Sequence, residues 1–378
     1  MDLARRIAAA RSEMGDCDVL IAAEASNVRY LTGIAGMMHV LYGRVPVCAV
    51  VGPSGTAQVV ISAGDWPDTD GREEDAHVYG TFFVVGEDGS YRPFTDRAFA
   101  DAIADAVTVT DPDAAIVGID FGLDPDAMGQ LRKALAPREL RLSRQSFLRG
   151  RQTKDEDELD LMRRANRIAE EALFASVATL DIGVSEREVM ETLQVEMVAR
   201  GARPMLGAIG FGSGSARGDS WPSDRTLREG EPIRIDVGCT VDGYHSDLAR
   251  TCVLGRPSDW LAETYAALLH GEEAAIAALG PGVPAREVFS IAVDAVRAAG
   301  LQQYRRTHCG HGIGLDIYEE PLIAPRTTQT LAQGMTICVE TPFYDERYGG
   351  VQVEDAFVIT ASGAERLGSS SRELIVLT

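Results

Sequence analysis

The sequence predicts an α/β domain over residues 1–150 followed by an α+β domain over residues 151–378. Three observations lead there. At 378 residues the chain is too long for one ordinary hydrophobic core and comfortable for two. Its first part alternates short apolar runs with helical patterns, while its second part groups long helices and pairs of β-rich runs. A charged helix start, Thr153-Lys154-Asp155-Glu156-Asp157-Glu158, lies near their junction.

In the first part the runs at 18–23, 47–52, 57–62 and 115–122 are apolar and β-rich, which predicts strands. Segments 3–14, 96–107 and 126–136 space apolar residues at three and four, which predicts amphipathic helices. Thr153 is the expected N-cap of the next helix, with the acidic residues after it suiting the positive end of the helix dipole. Helices are expected near 155–180, 185–200, 258–279 and 284–299, and strand pairs around 231–254 and 334–360. The two hairpins faintly suggest a duplicated half-domain.

A formal net charge of −21 with no basic stripe argues against nucleic acid and anionic lipid as partners. The amino terminus is charged and amphipathic, without the apolar core of a signal peptide, and no segment has the length of a membrane span. Six scattered cysteines without a Cys-x-x-Cys pair read as free thiols and small core fillers. A cytoplasmic protein acting on a small molecule or short peptide is expected.

Five residues read as one metal site: Asp236 in IRIDVG, Asp247 in YHSDLART, His311 in GHGIGLD, Glu340 in VETPF and Glu354 in VEDAF. Four carboxylates and one imidazole can hold two divalent cations and a bridging water, the equipment of a hydrolase. Oxygen-rich ligands with one nitrogen suit manganese, cobalt or iron, with zinc as a further alternative. Asp242-Gly243 is the signature of a tight hairpin turn. With that turn, Val241 faces Tyr244 and Asp236 faces Ala249, so Asp247 shares the face of Asp236 as its diagonal neighbour. In the second hairpin Met335, Ile337 and Val339 share one strand face and Glu340 takes the other. Gln352 and Glu354 likewise point away from Val351 and Val353, although the turn DERYGG is too long to set the register. Glycines around His311 let the backbone pack closely there.

The ordered set IDVG, GYHSDLART, GHGIGLD, VETP and VEDAFVIT resembles the pita-bread metallohydrolases, which include methionine aminopeptidase, aminopeptidase P, Xaa-Pro dipeptidase and creatinase. SNVRYLTG, at 26–33, is similar to the first domain of the prolidase and creatinase branch, so the resemblance spans nearly the whole chain. It implies a creatinase-like first domain, a pita-bread catalytic domain, two metals with manganese the first expectation, and a homodimer. It also implies that Glu340 carries the proton of the bridging water besides being a ligand.

The departures bear on substrate. Where family peptidases carry a histidine before the first metal strand, DSWPSDRTL places Asp219, and where a second histidine follows HGIGL this chain has Tyr318. Gln352 stands where prolidase-like members often have arginine. Tyr318 can donate a hydrogen bond, whereas an ionised Asp219 would accept one or pair with a cationic substrate group. His308 is a candidate replacement for a missing histidine. His245 is expected at the pocket rim, and Arg203 or Arg250 could meet a substrate carboxylate, although Arg250 faces away from Asp247. FGSGSARGDS fails as a dinucleotide loop, since Arg217 occupies the last required glycine.

These residues predict a metal-dependent hydrolase of a C–N bond, most simply an Xaa-Pro dipeptidase or aminopeptidase P-like enzyme. The alternatives are a non-peptide hydrolase similar to creatinase or ectoine hydrolase, and a metal-free binding protein on the same scaffold. The last leaves four converging carboxylates without a purpose.

Overall fold

The computed structural model describes residues 2–378 apart from 43–45, 54, 66–68, 70, 81–83, 93, 94, 96, 121, 122 and 219. It divides into two compact units, Met1–Arg151 and Gln152–Thr378.

The first unit runs α1 (Leu3–Ser12), β1 (Val19–Ala22), α2 (Ala25–Thr32), α3 (Met37–Tyr42), β2 (Cys48–Val51), β3 (Ala57–Ser62) and β4 (Ala76–Tyr79). It continues with the small pair β5 (Val84–Val85) and β6 (Tyr91–Arg92), then α4 (Phe99–Thr110), β7 (Ile116–Ile119), α5 (Pro125–Leu135), β8 (Glu139–Leu142) and α6 (Arg144–Arg151). Six strands form one mixed sheet in the order β4-β3-β2-β1-β7-β8. Val19, Ile21, Val50, Val60 and Val117 pack against Ala102, Ile103 and Ala106 of α4, which is why these runs alternate so cleanly in sequence. The SNVRYLTG signature builds a polar core rather than a site. Asp120 accepts from the Ala23 and Glu24 amides and from Asn27 Nδ2 at 2.8 Å, and Asn27 Oδ1 accepts from Arg151.

The second unit begins with α7 (Glu156–Val177) and α8 (Glu186–Ala199). The N-cap of α7 is Asp155, not Thr153. Asp155 accepts from the Glu158 amide while Glu158 reaches back to the Asp155 amide, a reciprocal capping box. Thr153 instead makes a single bridge to Met335. Next come β9 (Arg203–Phe211), β10 (Pro232–Val241), β11 (Tyr244–His245), β12 (Leu248–Leu254), α9 (Asp259–Ala278) and α10 (Ala285–Ala298). The chain closes with β13 (Gly310–Gly312), β14 (Glu319–Leu322), β15 (Thr336–Glu340), β16 (Phe343–Asp345), β17 (Gly349–Val351), β18 (Glu354–Thr360), β19 (Gly363–Arg366) and β20 (Ile375–Leu377). A ten-stranded sheet runs β11-β10-β12-β18-β15-β13-β14, with β9, β19 and β20 at its sides. It is the curled, predominantly antiparallel sheet of the pita-bread architecture.

Two apolar cores lie on this sheet. One joins α7 and α8 to β10 through Leu173, Leu193, Ile233 and Ile235. The other joins α9 and α10 to β15 and β18 through Leu268, Val296, Ile337 and Phe357. Strand alternation therefore leaves the opposite face to polar side chains. No described helix is long and apolar enough to cross a membrane.

Glu272 of α9 is fully buried, and its Oε2 accepts from Arg372 at 3.3 Å. Burial, then the nearby Asp355 charge, push its carboxyl up from 4.5 to about 8 against the pull of Arg372 and Arg250. Between those two values the unfolded chain is charged while the folded chain holds the proton, so stability falls as pH rises through that window. Glu272→Gln is expected to gain about 1 kcal/mol or more on wild type between pH 5 and 8.5. Urea denaturation at both pH values measures this, and an unchanged gap would refute it.

Candidate metal centre

The Asp242-Gly243 turn has φ of 47° and 83°, both left-handed, as a tight hairpin of this type requires. It pairs Val241 with Tyr244 and Asp236 with Ala249, the register expected from the sequence. Ala249 in turn pairs with Glu354, and Glu354 with Glu340. Asp236, Ala249, Glu354 and Glu340 thus form one row across four strands, on one face of the sheet. Asp247 joins that face two residues before Ala249. His311 pairs with Cys338, two residues before Glu340. The approach of these strands needs glycine at position 310, where φ is 143° and a Cβ would collide with the Cys338 carbonyl.

All five side chains are nearly buried, between 1% exposed for His311 and 8% for Asp236. His311 Nε2 lies 3.6 Å from Asp247 Oδ2 and 3.8 Å from Glu354 Oε1. Its Nδ1 sits 2.9 Å from the Gly312 carbonyl, so Nδ1 carries the proton and Nε2 turns a lone pair to the carboxylates. Burial pulls the imidazole below its ordinary pKa and favours this neutral form. Burial also drives Asp247 and Glu354 well above the carboxylate range, and repulsion from Asp236 and Glu340 adds to it. Glu340 differs. Burial raises it, but the His308 hydrogen bond and the Arg306 charge outweigh that and hold it below its ordinary value.

The residues fit divalent cations. Asp247 Oδ1 is buried without a hydrogen-bond partner, which is costly unless something else meets it. Ligand atoms of Asp247, His311, Cys338 and Glu354 all lie within 4.8 Å of one another. Cys338, expected with the other cysteines to be a small core filler, is buried and lies among these atoms because alternation along β15 puts position 338 on the face of Glu340. All six cysteines are unpaired and buried.

Around the carboxylates lies a cavity of about 500 Å³, lined by Asp236, Asp247, Glu340, Glu354, Arg306, His308, Tyr318, Tyr344 and neighbours. His308 Nε2 is 2.9 Å from Glu340 Oε1. Tyr318 stacks on the His311 ring at 3.8 Å between centroids, and its hydroxyl lies 3.5 Å from His308 Nε2. Asp219 lies outside the described residues. His245 is not a rim residue: it is buried, with its backbone amide 2.8 Å and its ring nitrogen 3.1 Å from the Gly314 carbonyl, which ties it to the loop after β13. Arg203 is exposed and away from the cavity lining. Arg250 is fully buried on the far face, where it holds the Glu354 carbonyl and the Asp355 carboxylate.

Sequence reasoning missed four supports. Arg234 donates to Asp236 at 3.2 Å and to Gln352 at 2.8 Å, and Gln352 donates to Glu354 at 3.0 Å. A guanidinium therefore steadies both carboxylates from β10, Asp236 directly and Glu354 through Gln352. Its signal was readable, since Arg234 shares the strand face of Asp236. Lys154 and Glu319 form a buried pair at 2.7 Å, and Glu319 also accepts from the Leu315 and Asp316 amides, which fixes the turn carrying Tyr318. Arg306 and Tyr344 come from stretches with no period to betray them.

Residues 160–361 match the model of metallopeptidase family M24. The Xaa-Pro dipeptidase of Pyrococcus horikoshii is 31% identical over 261 residues, 68% of this chain and 74% of that protein. The Xaa-Pro dipeptidase of Pyrococcus furiosus is 34% identical over 224 residues, which cover 59% of this chain and 64% of the relative, just under two thirds of its length. Among solved structures, the prolidase from Pyrococcus horikoshii superposes with a TM-score of 0.83 at 25% identity, over 98% of this chain and 99% of that one. The Xaa-Pro dipeptidase from Bacillus anthracis superposes with a TM-score of 0.87 at 24% identity over the full length of both, a likeness of fold.

Proposed function

The chain belongs to metallopeptidase family M24, and from that premise we propose that it hydrolyses the C–N bond of short peptides, as an Xaa-Pro dipeptidase or aminopeptidase P-like enzyme. The observation that carries this reading is the convergence of Asp236, Asp247, Glu340 and Glu354 on one sheet face at the floor of one cavity, with His311 Nε2 within 3.8 Å of Asp247 and Glu354.

Two divalent cations, manganese first, would be held by those five residues and would acidify a water and polarise the scissile carbonyl. Glu340 takes the proton of the attacking water. It is suited to this because its carboxylate is kept ionised in a buried setting. His308, whose Nε2–H donates to Glu340, orients it, gives that proton to the leaving nitrogen and regains one from Glu340, which holds the proton of the water. Tyr318, backed by the His311 ring, offers its hydroxyl to the developing negative charge. Asp219 is proposed, on sequence grounds, to meet a cationic part of the substrate. A homodimer in a reducing cytoplasm is the accompanying proposal, and the free thiols favour such a compartment.

The test is turnover by manganese-loaded protein on Xaa-Pro dipeptides, longer Xaa-Pro peptides, and small amidine or cyclic amide substrates, with metal content measured in parallel. Proline release with close to two metals per chain is expected. Cleavage of the non-peptide substrates alone would overturn the peptidase reading in favour of a creatinase-like one. Metal well below one per chain after loading would overturn both.

A further inference from the structure

We propose that Arg306 is the anion anchor of the cleft and selects substrates whose free carboxylate lies one residue beyond the scissile bond, which makes dipeptides the preferred class. This deepens the peptidase reading and rests on it.

The cavity is dominated by carboxylates, and Arg306 is the guanidinium among its described lining residues. Its hydrogen bonds are few and long. Nε donates to the His308 carbonyl at 3.3 Å and Nη2 to Glu340 Oε2 at 3.4 Å, while Nη1 donates to no described residue. Arg234 shows what a satisfied guanidinium looks like in this region. It donates to the carbonyls of Ser215, Arg217 and Gly218 and to the side chains of Asp236 and Gln352, and it does not line the cavity. Both arginines lie against the Tyr344 ring, at 5.5 Å for Arg234 and 5.8 Å for Arg306. Arg306 is thus held in place by an aromatic face and a carbonyl, with side-chain exposure of 16% directed at the cavity.

A guanidinium fixed in a fork and short of acceptors is a receptor for a planar anion, and a carboxylate fits it with two parallel hydrogen bonds. Glu340 is a poor final partner, because its other oxygen is already engaged by His308 at 2.9 Å. The reach then sets the substrate length. Arg306 touches Glu340, so an anion on Arg306 sits beside the carboxylate cage where the scissile carbonyl must lie. Consecutive Cα atoms are about 3.8 Å apart, and each added residue carries the terminal carboxylate roughly 3.3–3.6 Å further away. One residue fits between the carbonyl and the anchor, whereas longer peptides carry their carboxylate past it.

The experiment compares wild type with Arg306→Ala, Arg306→Gln and Arg306→Lys, all manganese-loaded, with metal content and circular dichroism as controls for folding. Binding of L-proline and of L-prolinamide is measured by calorimetry, which needs no turnover. Wild type is expected to bind the acid at least about tenfold tighter than the amide. Both neutral variants are expected to lose that preference, and Arg306→Lys to keep part of it. In kinetics on an Xaa-Pro dipeptide, the neutral variants should raise KM about 10–100-fold, with a fall in kcat beside it because Arg306 also donates to Glu340. The proposal is overturned if the preference survives in the neutral variants, if wild type prefers neither ligand or binds neither, or if KM for the dipeptide is unchanged in the neutral variants. Loss of the acid preference in variants of a protein that cleaves no dipeptide would leave the anchor standing and remove the peptidase reading, so the two failures are separable.

Discussion

Glu340→Gln is expected to lower kcat by about three orders of magnitude while the protein stays folded. Position 340 asks three things of one carboxylate. It closes β15 directly opposite Glu354, so it faces the carboxylate cage. It accepts from His308 at 2.9 Å and from Arg306 at 3.4 Å, which keep it ionised despite burial. It is also the proposed acceptor of the water's proton. Glutamine has nearly the same shape and keeps an oxygen for His308, but it has no charge for a cation and no basic site for a proton. Metal content is expected to fall below that of wild type, and excess manganese should restore metal without restoring rate. Loaded wild type and variant compared on one dipeptide, with bound metal counted for each, decide the matter. A kcat within tenfold of wild type would remove Glu340 from the chemistry.

What could be read from the sequence follows how locally each feature is specified. The aspartate pair was legible because Asp242-Gly243 sets a turn type, a turn type sets a register, and a register sets which side chains share a face. In the second hairpin the faces were legible but not the pairing. The chain between Glu340 and Glu354 folds into its own small ladder, β16 with β17, which no short-turn rule anticipates. Helix cores were legible from periodicity, whereas the N-cap was misplaced by two residues. Asp155 wins over Thr153 because Glu158 completes a reciprocal box with it. Arg306 and the Lys154–Glu319 pair were out of reach. They act through contacts between residues up to 165 apart in sequence, and irregular segments carry no period from which a direction can be inferred. Family resemblance supplied the roles expected of the five residues, and the physical spacing supplied the meeting of the two aspartates.

Arg250→Met is expected to destabilise the second unit by about 3–5 kcal/mol, although it lies on the face away from the proposed chemistry. Its guanidinium is fully buried and fully employed. It donates to the carbonyls of Ala249 and Glu354 at 2.8 Å, to Asp355 Oδ1 at 2.8 Å, and to Ser370 Oγ and the Ser371 carbonyl at 2.9 Å. It therefore stitches β12 to β18 and both to the carboxy-terminal segment, at the place where Ala249 pairs with Glu354. Methionine fills much of the volume but leaves Asp355 buried without its closest cation, and that uncompensated charge is the main cost. If so, Arg250→Met combined with Asp355→Asn should be less destabilised than Arg250→Met alone, by about 1 kcal/mol or more, since the second change removes the stranded charge. Manganese affinity should drop in the single variant as well, because the backbone that presents Glu354 loses its tether. Urea midpoints for wild type, both single variants and the double variant measure the coupling. Additive losses would mean that Arg250 works by packing alone, and the ion pair would then contribute nothing to holding the ligand strand in place.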